Sequence, residues 1–375
     1  MTHSDTLHHH LIGVPGSRDQ LNTPALILDR APFERNVAAM AAFAKARGLA
    51  LRPHAKTHKS ADVARAQIAA GAVGQCCAKL GEAEALAAEG IDGIHLTSPI
   101  VTAPSIARLV ALNERMTSLS VVVDHPDAVD AIAAAATAKP INVMVDIDPG
   151  NLRTGAASAE DVLSLVRRIA DRPTLTYAGV QFYCGSQQHI VALADRRAAI
   201  AERTDRLRAI VDLLTAAGLA PPVVTGGGTG SHVIDADLGV LTELQVGSYI
   251  FMDREYGDCD LGARFETALS VDARVISANH AELATIDAGL KAFATEAGVP
   301  PILSGAPAGS SYRFMGDEHG GIMPPVGEAR PALGTRITLA APHCDPTVNL
   351  YDVYHVVDGD TLIAIWPVTA RGRSA

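Results

Sequence analysis

The feature that most constrains this chain is a rhythm. Short β-rich runs alternate with Ala/Leu-rich helical runs over about 200 residues. The short runs fall at 50–52, 73–78, 93–97, 119–124, 141–147, 177–183, 222–225 and 243–247. Most are apolar with little alternation, as expected of parallel strands buried on both faces. Helices are predicted between them, most clearly at 32–47, 60–70, 81–89, 159–170 and 196–217. Gly48, Gly71, Gly90 and Gly218 supply helix stop signals. Eight such units predict an α/β fold, a (β/α)8 TIM-type barrel. A doubly wound open sheet is the competing topology.

After residue 265 the texture changes. Strand-like runs at 268–276, 283–287, 336–340, 353–357 and 361–367 are separated by turn-rich segments such as Val357-Asp358-Gly359-Asp360. This predicts a C-terminal all-β domain over 266–375. The run 23–30 also reads as a strand, expected to pair with that domain and bring the chain ends together. The expected organisation is a polar segment 1–22, the strand 23–30, a barrel 31–265 and the β domain.

Composition narrows the function. The net charge is −10, from 31 basic and 41 acidic residues, and aromatics are 4%. With no basic run interleaved with aromatics, nucleic acid is not an expected partner. No stretch of about 18 uncharged apolar residues predicts a membrane span, and the first residues lack the apolar core of a secretory signal. The cysteines (Cys76, Cys77, Cys184, Cys259 and Cys344) are odd in number, and two are adjacent. They fit a reducing cytoplasm better than a disulfide framework. For the His8-His9-His10 tract, a frayed polar terminus is a better account than a metal site.

Three segments could carry chemistry. Lys56, in Leu51-Arg52-Pro53-His54-Ala55-Lys56, lies just past the first barrel strand, at the end where barrel enzymes place their active sites. Partly desolvated beside His54, Arg52 and Lys59, it is expected to have a lowered pKa and to be able to form a Schiff base. A surface basic cluster accounts for the segment equally well. Thr225-Gly226-Gly227-Gly228-Thr229-Gly230-Ser231 follows the seventh strand, and Gly247-Ser248 follows the eighth. Backbone N–H groups there can form a phosphate cup. His343 and Asp345, two apart in an extended stretch, would share a face and could reach one cation (Mn, Mg, Co or Zn), with Cys344 pointing away. From pattern alone, a solvated turn is the better account of that segment. Arg153, Tyr183 and His189, each near a strand end, read individually as structural.

Together these pieces resemble the D-threonine aldolase and 3-hydroxy-D-aspartate aldolase family, fold-type III pyridoxal-phosphate enzymes related to alanine racemase and D-serine dehydratase. The likeness runs from about Thr23 to Arg373 and includes Thr23-Pro24-Ala25, Arg52-Pro53-His54-Ala55-Lys56, Glu243-Leu244-Gln245 and Gly247-Ser248-Tyr249. It continues through Asp287-Ala288-Gly289, Asp317-Glu318-His319-Gly320 and the segment from His343 to Thr347. The resemblance implies that Lys56 carries pyridoxal 5'-phosphate and that the Gly226–Gly230 loop with Gly247 and Ser248 holds its phosphate. It sets Arg153 and Tyr183 near the cofactor. It makes His343 and Asp345 ligands of a divalent metal and His189 the general base. It also implies a homodimer.

The implied activity is retro-aldol cleavage of a small-molecule D-3-hydroxy amino acid to glycine and an aldehyde. Dehydration of D-serine or D-3-hydroxyaspartate is the alternative, but such relatives carry His-x-Cys where this chain has His343 and Asp345. A racemase would need a second acid, for which Tyr312 or Tyr351 is the only suggestion. A non-catalytic cofactor carrier would be a barrel alone. Ala78, Cys184 and Thr154 depart from the family pattern, which bears on substrate preference. Arg313 is the one sequence guess for a cation facing a β-carboxylate.

Overall fold

The computed structural model describes residues 7–375, so the first six residues of the predicted polar segment lie outside it. After β1 (Ala25–Asp29), eight strands form one parallel sheet: β2 (Ala50–Leu51), β3 (Gln75–Cys77), β4 (Ile94–Leu96), β5 (Leu119–Val123), β6 (Ile141–Ile147), β7 (Leu175–Phe182), β8 (Val224–Gly226) and β9 (Glu243–Leu244). The ladder runs β2-β9-β8-β7-β6-β5-β4-β3. Its ends meet through a parallel bridge between His54 and Cys76 and through the Val73 N–H, which donates to the Leu51 carbonyl at 2.8 Å. The sheet is therefore a closed barrel, and the open doubly wound alternative is excluded.

Burial explains the uninterrupted apolar runs. All five residues of β5 are buried, as are six of the seven in β6, because one face lines the barrel and the other meets the helices. The helices obey the complementary period. In α1 (Arg30–Ala46), the Asp29 side chain caps the first turn by accepting from the Ala31 N–H at 3.2 Å, and Phe33, Val37, Met40 and Ala44 face inward. In the helix Ala159–Ala170, Ser158 caps, and Val162, Leu165, Val166 and Ile169 are buried. Each such side chain contributes roughly 1.5–3 kcal/mol, so a Leu165→Asp change would unseat the helix. Helices Ala103–Arg115 and Pro126–Ala135, not singled out from the sequence, fill two further intervals. Each carries a proline in its first turn, where the missing N–H costs nothing.

The second sheet is antiparallel except at β1. Its main path is β13 (Ser311–Phe314), β14 (Gly320–Met323), β11 (Ala284–Ile286), β10 (Leu269–Ser277), β1, β16 (Val353–Asp358) and β17 (Thr361–Pro367), with β12 (Ile302–Ser304) and β15 (Arg336–Ala340) branching from β10. β1 lies antiparallel to β10 and parallel to β16, so the first strand sits inside the C-terminal sheet.

The described part of the N-terminal segment, residues 7–22, is docked rather than frayed. His8 is buried, with Nδ1 at 2.8 Å from His355 Nε2, and Leu11 and Leu21 pack with Val357 and Leu362. The five cysteines are free, and no helix among the described residues is long and apolar enough to cross a membrane.

Candidate active site

The C-terminal ends of the barrel strands open into a cavity of about 560 Å³. Lys56 enters it from a single 3-10 turn, Ala55–Thr57, directly after β2. That turn is fixed from several sides. His54 Nδ1 accepts from the Lys56 N–H at 3.3 Å, His54 Nε2 lies 3.2 Å from Thr97 Oγ1, and Tyr354 donates its hydroxyl to the His58 carbonyl at 2.6 Å. Lys59, at φ 50°, pairs with buried Glu82.

The Lys56 ammonium contacts the Asp345 carboxylate, 289 residues away in the chain. Burial works against the ammonium, but the carboxylate outweighs it, and the Lys56 pKa lies above its ordinary value. This reverses the sequence expectation, for a local reason. Arg52 turns to Glu243 at 3.0 Å, Lys59 turns to Glu82, and burial, then Lys56 itself, holds His54 well below its usual pKa. The supposed basic neighbours therefore bring no net positive charge to the amine. Burial alone would raise the Asp345 carboxyl, yet Lys56 draws it down to about 2.

Four residues of the predicted phosphate cup line the cavity: Gly228, Thr229, Gly247 and Ser248. Thr225, Gly226, Gly227 and Gly230 do not; they build the wall behind. Thr225 Oγ1 donates to Glu243 Oε1 at 2.8 Å, the Gly230 N–H donates to Gln188 Oε1 at 3.0 Å, and Gly227 backs onto Asp235. The two cavity glycines are glycine for reasons of space. A Cβ on Gly228 would lie 2.6 Å from Gln188 Oε1, and one on Gly247 would lie 2.6 Å from Thr57 Oγ1. Bare backbone and two hydroxyls thus form a cradle into which an anion can approach closely. With Lys56 in the same cavity, the residues present fit pyridoxal phosphate.

Arg153 and Tyr183 are also brought to the cavity, with the guanidinium carbon 5.4 Å from the ring centroid. His189 is exposed. Its ring stacks at 4.5 Å on Tyr256, and it is Tyr256 that lines the cavity.

His343 and Asp345 are not on a strand. His343 is the extended residue that caps a short helix, Cys344–Val348, and Asp345 lies in its first turn. The alternation argument does not apply to a helix start, although Cys344 does face the core. Asp345 Oδ1 is buried with no hydrogen-bond partner, while His343 Nδ1 lies 2.8 Å from Glu296 Oε1. An orphaned carboxylate oxygen beside an oriented imidazole is a donor set that fits a divalent cation completed by water. No group of three or more His, Cys, Asp or Glu side chains is arranged to hold a metal among the described residues.

Several lining residues escaped the sequence reading, including Lys79, Ser98, Asp124, Gln181, Gln245 and Tyr256. For all but Tyr256, which lies in the short helix Arg254–Gly257, the signal is position, within two residues of a strand end. Beneath the cavity, Gln181 Oε1 lies 3.1 Å from His95 Nε2 and accepts from Gln245 Nε2 at 3.2 Å. Gln181 Nε2 donates to Asp146 Oδ1 at 2.9 Å, and Thr154 donates to Asp146 Oδ2 at 2.8 Å. Burial raises the Asp146 carboxyl to about 6 and lowers His95 to about 4. Tyr312, Tyr351 and Arg313 do not line the cavity. The two tyrosines donate to the carbonyls of Ala288 and Ala292, and Arg313 is exposed.

A lysine at the mouth of a closed barrel, facing a glycine cradle and followed by an antiparallel domain, defines the alanine-racemase-like class. The chain belongs to the alanine racemase N-terminal domain family, whose model matches residues 28–255, and a serine dehydratase domain model matches 268–357. It is 40% identical to a D-threonine aldolase of Arthrobacter sp over 95% of this chain and 94% of that protein. It is 37% identical to a 3-hydroxy-D-aspartate aldolase of Paracoccus denitrificans over 96% and 95%. The crystal structure of D-threonine aldolase from Filomicrobium marinum superposes with a TM-score of 0.91 at 36% identity, covering 95% of this chain and 97% of that one.

Proposed function

We propose that this protein is a lyase that cleaves D-3-hydroxy amino acids to glycine and an aldehyde, using pyridoxal 5'-phosphate and a divalent metal. The observation that carries the reading is the contact between Lys56, which lines the barrel-mouth cavity, and Asp345, which comes from the β domain and is not itself part of the cavity lining. Bound at Lys56 and in the Gly228, Thr229, Gly247 and Ser248 cradle, the cofactor supplies an electron sink for the pair left by a broken Cα–Cβ bond.

The protein's own groups perform the rest. Arg153 and Tyr183 border the cofactor. His189, which packs on the cavity-lining Tyr256 without lining the cavity itself, is the general base that the resemblance implies for the substrate β-hydroxyl. The Cα–Cβ bond breaks, the β-carbon leaves as the aldehyde, and Cα takes a proton to give glycine. His343 and Asp345 would hold a Mn, Mg, Co or Zn ion, whose role is to acidify that hydroxyl. The Lys56 ammonium neutralises Asp345, a role that a bound cation would take over.

Dehydration is less well supported, because the residue two beyond His343 is a carboxylate, and the one thiol nearby, Cys344, is buried in the core. The resemblance supports a homodimer, and the free cysteines support a reducing, cytoplasmic setting. The test is an aldehyde-trapping assay on the cofactor-loaded protein with D-threonine, L-threonine, D-serine and D-3-hydroxyaspartate. Glycine plus aldehyde from the D-3-hydroxy substrates, and none from L-threonine, is the expected result. Pyruvate from D-serine with no aldehyde from any substrate would replace the aldolase by a dehydratase.

A further inference from the structure

Every amino-acid substrate brings a carboxylate into the cavity, and most charged side chains lining it are already engaged. Lys56 contacts Asp345, Arg153 lies over the Tyr183 ring, and Asp124 accepts the Gly155 N–H at 3.0 Å. Two cations that line the cavity have no carboxylate partner among the described residues: Arg153, which faces the Tyr183 ring and is assigned above to the cofactor, and Lys79, which is exposed. Its own N–H donates to Glu82 Oε2 at 3.2 Å, so the backbone at the base of the side chain is fixed.

Strand order says what this cation faces. Around the closed barrel the sequence of strands is β8, β9, β2, β3, β4. The glycine cradle follows β8 and β9, Lys56 follows β2, Lys79 follows β3, and Thr97 and Ser98 follow β4. Lys79 is therefore three strands round from the start of the cradle and next to the strand that carries Lys56. A cation so placed is not part of the phosphate cup. It neighbours the point where the substrate amine must arrive, and the carboxylate on the same carbon as that amine is the closest anion. The β-oxygen lies at the other end of the Cα–Cβ bond.

We infer that Lys79 binds the α-carboxylate of the substrate, with Ser98 beside it, as a specificity-determining contact for amino acids over amines. The inference rests on the substrate class proposed above. A charged anchor at the α-carboxylate also fixes rotation about the bond to Cα, so Lys79 positions the Cα–Cβ bond as well as recruiting the substrate.

The test titrates cofactor-loaded wild type, Lys79→Met and Lys79→Arg with D-threonine, D-3-hydroxyaspartate and 1-aminopropan-2-ol, which is threonine without its carboxylate. Binding is read from the absorbance of the bound cofactor, and turnover from trapped aldehyde. Lys79→Met should weaken both amino acids by about 10- to 100-fold, the effect of removing one charge-assisted hydrogen bond. It should leave 1-aminopropan-2-ol within about 2-fold, since the pairwise contact is absent there. Lys79→Arg should recover most of the loss. Equal weakening of all three ligands, or weakening of D-3-hydroxyaspartate alone, would overturn the assignment. Failure of the aldolase reading is distinguishable: wild type would then bind D-threonine without releasing aldehyde, and the titration would still judge Lys79.

Discussion

The rim and the interior of the barrel handle polar groups differently. On the cavity floor and beneath it, Gln181, Gln245 and Thr154, which line the cavity, are joined to His95 and Asp146 by hydrogen bonds of 2.8–3.2 Å. The burial-shifted pKa values of His95 and Asp146 favour their uncharged forms more than in water. At the rim, Lys56 and Asp345 face each other as charges, and Asp345 Oδ1 and Thr57 Oγ1 are buried near each other without a hydrogen bond of good geometry. A satisfied network holds still. An unsatisfied one leaves atoms for something else to bind. The interior positions and the rim reacts.

The largest effect separating the two regions should come from Lys56→Ala. Aldehyde release should fall on the order of 10³-fold or more, with loss of the cofactor's lysine-bound absorbance, and with some loss of melting temperature because Asp345 loses its counter-ion. A large loss of stability with activity retained would make Lys56 a structural residue and erase the distinction. Next comes the cradle. Gly228→Ala would place a Cβ 2.6 Å from the Gln188 amide oxygen. Gln188 is itself held by Ser231 Oγ at 2.9 Å and cannot easily yield. Cofactor affinity, measured by equilibrium dialysis, should weaken about 10- to 100-fold.

The smallest effect should come from the interior and appear in stability. The Asp146 pKa is raised from 3.8 to about 6 by burial. The folded chain therefore holds a proton that the unfolded chain releases between those values. Its contribution is fully present below the unfolded pKa, is lost as pH rises through about 6, and stays lost above. Asp146→Asn preserves an acceptor for Gln181 and has no charge to bury. At pH 8 it should be more stable than wild type by up to about 3 kcal/mol, shrinking towards zero at pH 4. Urea unfolding at the two pH values checks this, and an equal difference at both would refute the charge argument.

Much of the architecture was legible because it rests on local pattern. Buried parallel strands must be apolar throughout, and helices between them must stop, so eight runs and their glycines declare a barrel. The strands Ile302–Ser304, Ser311–Phe314 and Gly320–Met323 were not legible, being short, glycine-bearing or largely exposed.

The cavity followed the same rule. Lys56 and the Gly228 and Gly247 positions carry their meaning in neighbouring residues. Lys79, Gln181 and Tyr256 look like ordinary polar or aromatic residues until closure sets them around one space. The Lys56 pKa was misjudged because the group that sets it, Asp345, is supplied by the other sheet-bearing region. His8 was misjudged because its partner, His355, comes from β16. Local spacing cannot report a partner hundreds of residues away.

The most direct test of the rim as the reacting region is a metal titration of Asp345→Ala beside wild type, each cofactor-loaded. Aldehyde release from D-threonine is followed with increasing Mn(II) and with a chelator. The account predicts metal-dependent cleavage in wild type, abolished by the chelator, and at least about 100-fold less in the variant, with no recovery at high Mn(II). Full metal-dependent cleavage in Asp345→Ala would contradict it and remove Asp345 from the chemistry.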